Sequence, residues 1–378
     1  MKSLARLLCL AALGTALSAH AQTFFTFTDL GTLSAGNQSS AFGLNGSGTV
    51  VGGSTTTASA TPFYAYSYSG GTMTSLGLLG GSGNSEARAI NDAGTVVGVS
   101  SVASGQNHAF SYNGGFTDLG TMGGVVSNAY GINDSGVIVG SSGIGGGVVQ
   151  AFRLSSGTLG GTTASSIGTL GGTNSIAYDI NTSGQIVGQS QITGNTAVNA
   201  FLLNSGSLNS GHSIGTLGGN NSEAFALNDA GVVVGHSEYS TESGNKRAFL
   251  YNGTMLDLGT LGGNNSTARD INSASYIVGT SEITGGQPET HAFLYTGGTM
   301  YDLNDYVSGA SGWTLIEAYG INDANQIIGV AMDGSGYKHG FLLTAIPEPS
   351  TYAAFAGLAA LGLAALRRRQ ARAGRVMA

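Results

Sequence analysis

An all-β body arranged as a seven-bladed β-propeller-like ring is what this sequence predicts, on three observations. A phrase of the form A-x-x-I-N-D-x-G-x-V-V-G-x-S recurs seven times, with its asparagine at Asn45, Asn91, Asn133, Asn181, Asn228, Asn272 and Asn322. The repeat is thus about 46 residues long, which suits one blade of four short strands. Within each repeat the runs bounded by glycine, such as Thr95-Val96-Val97 and Val232-Val233-Val234, are β-branched and short, the mark of buried strands and not of helices. The array also opens on Phe27-Thr28-Asp29-Leu30-Gly31-Thr32-Leu33, the last strand of the unit, and closes after Gly340-Phe341-Leu342-Leu343, one strand short. In a ring the first segment completes the last blade and covers two strand edges; an open β-solenoid would gain nothing from that split.

The N-terminal element, residues 1–21, reads as a secretory signal peptide. Lys2 and Arg6 precede the apolar run Leu7 to Leu17, and Ala19 and Ala21 place small residues where cleavage after Ala21 requires them. The sole cysteine, Cys9, lies inside it. The body, residues 22–345, is therefore expected to hold no disulfide, no thiolate nucleophile and no cysteine zinc site.

Each repeat of the body adds two further phrases. One is an aromatic strand, as in Tyr64-Ala65-Tyr66, His108-Ala109-Phe110, Gln150-Ala151-Phe152 and His339-Gly340-Phe341. The other, in most repeats, is D-L-G-T-L-G-G, as at Asp118 and Asp257. Turns separate the strands. In Asn91-Asp92-Ala93-Gly94 both polar side chains are expected to bond nearby backbone N–H groups of their own turn, with Gly94 taking positive φ. Asn113-Gly114-Gly115 and Asn252-Gly253 predict hairpin turns of the primed kind.

The C-terminal element, residues 346–378, has a different composition. Ile346-Pro347-Glu348-Pro349-Ser350 breaks regular structure, because each proline fixes φ and removes a donor. Tyr352 to Leu366 then runs without a charge into Arg367, Arg368 and Arg369, with Arg372 and Arg375 beyond. The run predicts a single hydrophobic helix. It is shorter than the roughly 20 residues of an ordinary span, but the basic stop favours a membrane anchor whose arginine end stays cytoplasmic.

Charge and motif content narrow the chemistry. The body carries six basic residues, Arg88, Arg153, Lys246, Arg247, Arg269 and Lys338, against 19 acidic ones, which excludes nucleic acid as a partner. No HExxH, P-loop or Ser-His-Asp set stands on unique segments, so no catalytic residue and no cofactor are expected. His108, His291 and His339 share one repeat position with Gln150, Asn199 and Arg247, so a structural polar role fits better than a metal ring. Asp92, Asp134, Asp229 and Asp323 resemble a calcium loop only in outline. Calcium takes six to eight oxygens, and the corresponding turns at Asn45 and Asn181 lack the carboxylate; no metal is expected. One region departs from the repeat, Asn304 to Glu317, where Asp305, Trp313 and Glu317 are candidate ligand contacts. An aromatic ring beside carboxylates suits sugar stacking or glycoside hydrolysis, and the structural reading is a blade-closing loop with a packed tryptophan.

Two resemblances bear on function. The order Pro347-Glu348-Pro349, apolar run, arginine cluster resembles the PEP-CTERM sorting signal of Gram-negative bacteria, over Ile346 to about Arg372. The repeats, over about residues 28 to 343, resemble the extracellular HAF repeat family, although the histidine stands in only three of the seven copies. The first resemblance implies recognition of Pro347, Glu348 and Pro349 by a membrane exosortase, removal of the tail, and delivery to the outer surface or the extracellular polysaccharide. A structural or adhesive role is then expected, with a lectin-like glycan-binding module or a glycan-active hydrolase as the alternatives.

Overall fold

Short β-branched and aromatic runs separated by glycine turns leave the chain little choice but tight antiparallel hairpins, and the computed structural model consists of seven sheets built from them. It describes residues 25–346 apart from positions 60, 162–164, 241–243 and 286–289. Thr26–Thr344 forms one compact unit; of a second unit, made from the two chain ends, only Phe25, Ala345 and Ile346 are described. The expected cleavage residues Ala19 and Ala21, the sorting residues Pro347, Glu348 and Pro349 and the basic stop Arg367 to Arg369 lie outside the described residues, among which no helix is long and apolar enough to cross a membrane.

Blade 1 shows the unit: Ser39–Leu44, Val50–Thr55, Phe63–Ser69 and Thr72–Gly77 pair in chain order as an antiparallel sheet. Blades 2 to 6 repeat this order. The first strands of all seven blades line one central cavity, so they are the inner strands of a ring. Burial alternates along them, as the pleat requires when one face packs on the neighbouring blade and the other faces the channel.

Two positions set the spacing between strands. The aromatic residue of the third strand, Tyr66, Phe110, Phe152, Phe201, Phe249, Phe293 or Phe341, is fully buried in every blade. It packs directly over the backbone of the second strand. A Cβ on Gly140, Gly188 or Gly279 would stand 2.8–2.9 Å from the phenyl ring and 2.0 Å from an inner-strand carbonyl oxygen, so only glycine fits the V-V-G step.

The last blade closes the ring as the split repeat predicts. Trp313–Ile321, Ile327–Asp333 and Lys338–Ala345 pair in order, and the outer place beside Lys338–Ala345 is taken by the first strand of the body, Phe25–Asp29. Leu30 N–H donates to the Gly340 carbonyl at 3.0 Å. His339 Nδ1 lies 3.0 Å from Asp29 Oδ1 across 310 residues, and Gly340 N–H donates to Ser39 Oγ of blade 1 at 2.9 Å.

The turns differ from expectation in two places. Asn113–Gly115 and Asn252–Thr254 are three-residue loops with positive φ only at Gly114 and Gly253, not two-residue primed turns. A type I′ turn needs positive φ at both central positions, and here Asn113 and Asn252 keep negative φ, with the extra residue carried in the loop. The primed turns sit where two glycines meet, at Gly70-Gly71 (φ 58° and 83°) and Gly297-Gly298 (φ 59° and 83°).

Candidate functional site

The channel is built by the inner strands, and its residues fall into tiers counted back from the repeated asparagine. Asparagine itself forms the first tier. Each Nδ2 donates to the backbone carbonyl of the next asparagine around the ring, Asn45 to Asn91, Asn91 to Asn133 and so on, at 3.1–3.2 Å. Asn322 Nδ2 closes the circle on the Asn45 carbonyl at 3.1 Å. Each Oδ1 accepts the N–H four residues on, at 2.9–3.0 Å, so the side chain holds its own turn and the neighbouring blade at once.

The aspartates beside them do not bond their own turns. Asp92, Asp134, Asp229 and Asp323 each accept a backbone N–H from the preceding blade, at 2.7–3.0 Å. The expectation of a local turn bond thus holds for asparagine and fails for aspartate, because the ring brings the preceding turn within reach. These residues line a cavity of about 270 Å³ at this mouth of the channel.

Three residues before the asparagine stands a second closed circle: Phe42, Arg88, Tyr130, Tyr178, Phe225, Arg269 and Tyr319. Every neighbouring pair is in contact. Aromatic pairs have centroids 5.2–5.4 Å apart, and the two guanidinium carbons lie 4.8–5.9 Å from the ring centroids on either side. Arg88 Nε and Arg269 Nε are buried there without a protein partner. Nothing in the repeat phrase marks this position, since its letters vary. The available signal was that the column holds only planar side chains.

Between the two circles lie Asp179 and Asp270, where the other blades carry Gly43, Ala89, Gly131, Ala226 and Gly320. Both face the lumen and are half-buried. Asp179 accepts from Ile180 N–H at 2.8 Å and from Leu227 N–H of the next blade at 3.1 Å; Asp270 accepts from Ile271 and Ile321 N–H, both at 2.8 Å. Burial pushes Asp179 up to about 6, against the pull of its two N–H donors and with a push from Asp229. Burial likewise lifts Asp270 to about 7, helped by the charges of Asp179 and Asp323 and opposed by its own donors.

Toward the other mouth are three glutamates, each engaged by protein. Glu86 Oε2 accepts from Arg88 Nη2 at 2.9 Å, and burial still raises its carboxyl against the arginine's pull. Glu223 stands 3.6 Å from His236 Nε2 and 4.0 Å from Lys246 Nζ. Burial alone would raise it, but these neighbours and Arg269 hold it below the ordinary range, while burial drives the His236 pKa down. Glu317 accepts the Tyr319 hydroxyl.

The candidate contacts Asp305, Trp313 and Glu317 are not brought together. Glu317 belongs to the channel, and Asp305 is exposed in the short turn Leu303–Tyr306. Trp313 packs on His339 and Phe27, with centroids 5.0 and 5.9 Å apart. The cavity of about 480 Å³ beside Trp313 is lined by His291 and Asn304 and by neither carboxylate. The three repeat histidines each pair with the aspartate of the following strand: His108 with Asp118 at 3.0 Å, His291 with Asp302 at 2.5 Å, His339 with Asp29 at 3.0 Å. Among the described residues no group of three or more histidines and carboxylates is placed to hold a metal ion.

The last strand of the body ends at Ala345, and from that residue a different signal begins: residues 345–369 match the family model of the PEP-CTERM protein-sorting motif. The chain carries a PEP-CTERM sorting motif. Such a motif is the substrate signal of exosortase-type processing and implies export with transient membrane anchoring. In this chain the PEP-CTERM motif follows the ring without an intervening domain. No curated protein matches the chain.

Proposed function

We propose that the chain is an exported structural or adhesive protein of the cell surface or the extracellular polysaccharide of a Gram-negative bacterium, delivered by an exosortase-type enzyme that reads Pro347-Glu348-Pro349. The single observation that carries this reading is the PEP-CTERM motif abutting the closing strand, which joins a self-contained ring to a delivery signal. Two features support it. The repeated polar residues are spent on holding blade to blade, and the 19 carboxylates against six basic side chains leave the body a solvated, acidic surface.

On this reading the body performs no hydrolysis. Replacing Pro347-Glu348-Pro349 by three alanines leaves the ring folded and holds the protein, tail uncleaved, in the membrane fraction. Wild-type protein recovered outside the cell with Arg367 to Ala378 intact overturns the sorting role. Release of reducing sugar that depends on Asp305 or Glu317 overturns the structural one in favour of a glycan-active enzyme.

A further inference from the structure

The repeat makes departures informative, because six blades show what the fold needs at each position. They gather on one side of the channel mouth, between blades 1 and 3. On the second strand, the place held by Val99, Ser141, Gln189, His236, Thr280 and Val330 is Gly53 in blade 1. A Cβ there would meet Phe63 Cδ1 at 2.9 Å and Glu86 Cγ at 3.5 Å, so the absence of a side chain lets the Phe63 ring lie against the strand beside the Glu86 carboxylate. Phe63 is itself a departure; the third strands of blades 2, 5 and 6 begin on Asn107, Lys246 and Thr290.

Asn84 supplies a third. Like Asn174, Asn221 and Asn265, it accepts with Oδ1 the N–H that opens the third strand of the preceding blade, at 2.9 Å from Phe63. In those three blades the amide nitrogen then donates to Gln191, Glu238 or Glu282, at 2.7–3.1 Å. In blade 2 the facing residue is Ser101, whose short hydroxyl donates to Asn107 Oδ1 instead, and Asn84 Nδ2 has no partner among the described residues. The side chain of Asn128 has none either. These groups, with Glu86 and Arg88, line a pocket of about 480 Å³.

We propose that this pocket binds one neutral pyranose unit of a polysaccharide. The Glu86–Arg88 pair at 2.9 Å leaves the pocket without net charge, so an anion meets Glu86 and a cation meets Arg88. A sugar hydroxyl both donates and accepts. Vicinal hydroxyls satisfy the Asn84 and Asn128 amide donors on one side and the Glu86 carboxylate on the other. Phe63 offers a face for the apolar side of the ring, and the volume is that of a small-ligand site. The equivalent place beside Glu223 is held by Gln189, whose amide bonds the Tyr178 hydroxyl at 3.1 Å, and His236 lies 3.6 Å from the same carboxylate, which leaves no such room.

The proposal deepens the polysaccharide-associated role above, and its test is independent of sorting because it uses the purified full chain. Calorimetric titration with cellotriose, maltotriose and mannotriose, and with trigalacturonate as the charged counterpart, is expected to show binding of at least one neutral sugar. Asn128→Ala, which removes no hydrogen bond of the fold, and Gly53→Val, which displaces the Phe63 ring with the residue blades 2 and 7 carry, each weaken it at least tenfold. The Asn128→Ala protein keeps its melting temperature. No neutral sugar bound at millimolar concentration, binding that both variants leave unchanged, or binding of trigalacturonate alone overturns the proposal.

Discussion

Gly340 stands where the other blades carry alanine, and its partner explains the exchange. A Cβ there would lie 3.1 Å from the Tyr66 hydroxyl and 3.2 Å from Ala41 N, and blade 1 is the one whose buried aromatic is a tyrosine. That hydroxyl donates to the Ser40 carbonyl at 3.1 Å. Gly340→Ala should cost about 1–2 kcal/mol by overpacking, and Tyr66→Phe about 1 kcal/mol for the lost bond. The double variant should lose less than the sum by at least about 0.5 kcal/mol in urea unfolding, since the clash disappears with the hydroxyl. Strict additivity would show that the two residues are not coupled. Asp179 and Asp270 give the second residue-scale prediction. Their folded carboxyls titrate near 6 and 7, above the ordinary value, so their contribution is present below the unfolded pKa and is lost as pH rises through that range. Melting temperature should therefore fall between pH 5 and pH 8. His236, whose pKa burial lowers, works in the opposite sense, so the comparison is with Asp270→Asn, whose melting temperature should depend less on pH over that window. Equal slopes for the two proteins would refute the assignment.

At the scale of the element, the turn after each inner strand is both a turn and a rivet. Asn228 is 6% exposed and satisfies Val232 N–H at 3.0 Å, Ala230 N–H at 3.1 Å and the Asn272 carbonyl at 3.2 Å. Asn228→Ala leaves these groups unpaired in a narrow lumen and should cost about 2–4 kcal/mol. Asp92→Ala, which gives up one exposed bond to Gly46 N–H, should cost under about 1 kcal/mol. Chemical denaturation of both variants checks the contrast, and similar losses would mean the asparagine circle adds nothing beyond the turn.

At the scale of the molecule, closure rests on a strand contributed by the far end of the body. A chain lacking residues 25–33 gives up the buried Leu30 and Leu33, the Asp29 partner of His339, and the cover over the edge of Lys338–Ala345. It should melt at least about 5 °C lower and associate through the bared edge. Light scattering and thermal melting test this, and an unchanged monomer would mean the ring closes without that strand.

What the sequence determined by itself was whatever repeats. The strand phrases, the seven-fold count and the split unit at Phe27 and Gly340 are periodic features, and periodicity in a chain of short glycine-bounded strands has few solutions in space. The turn asparagine was legible as well, since its bond to the N–H four residues on is local. Its second bond was not, because Asn322 and Asn45 are 277 residues apart and meet only when the ring closes. The planar circle of Phe42, Arg88, Tyr130, Tyr178, Phe225, Arg269 and Tyr319 was hidden for the same reason: residues in different blades become neighbours only around the axis. Asp179 and Asp270 read as ordinary acidic residues until the tertiary structure enclosed them, where loss of water, and not any letter of the repeat, raises their carboxyls. Asp305, Trp313 and Glu317 stood out because they broke the pattern within one loop, but nearness along the chain did not bring them to one cavity. The pocket between blades 1 and 3 depends on a glycine in one blade facing a phenylalanine and a glutamate from different strands, an arrangement that only folding assembles.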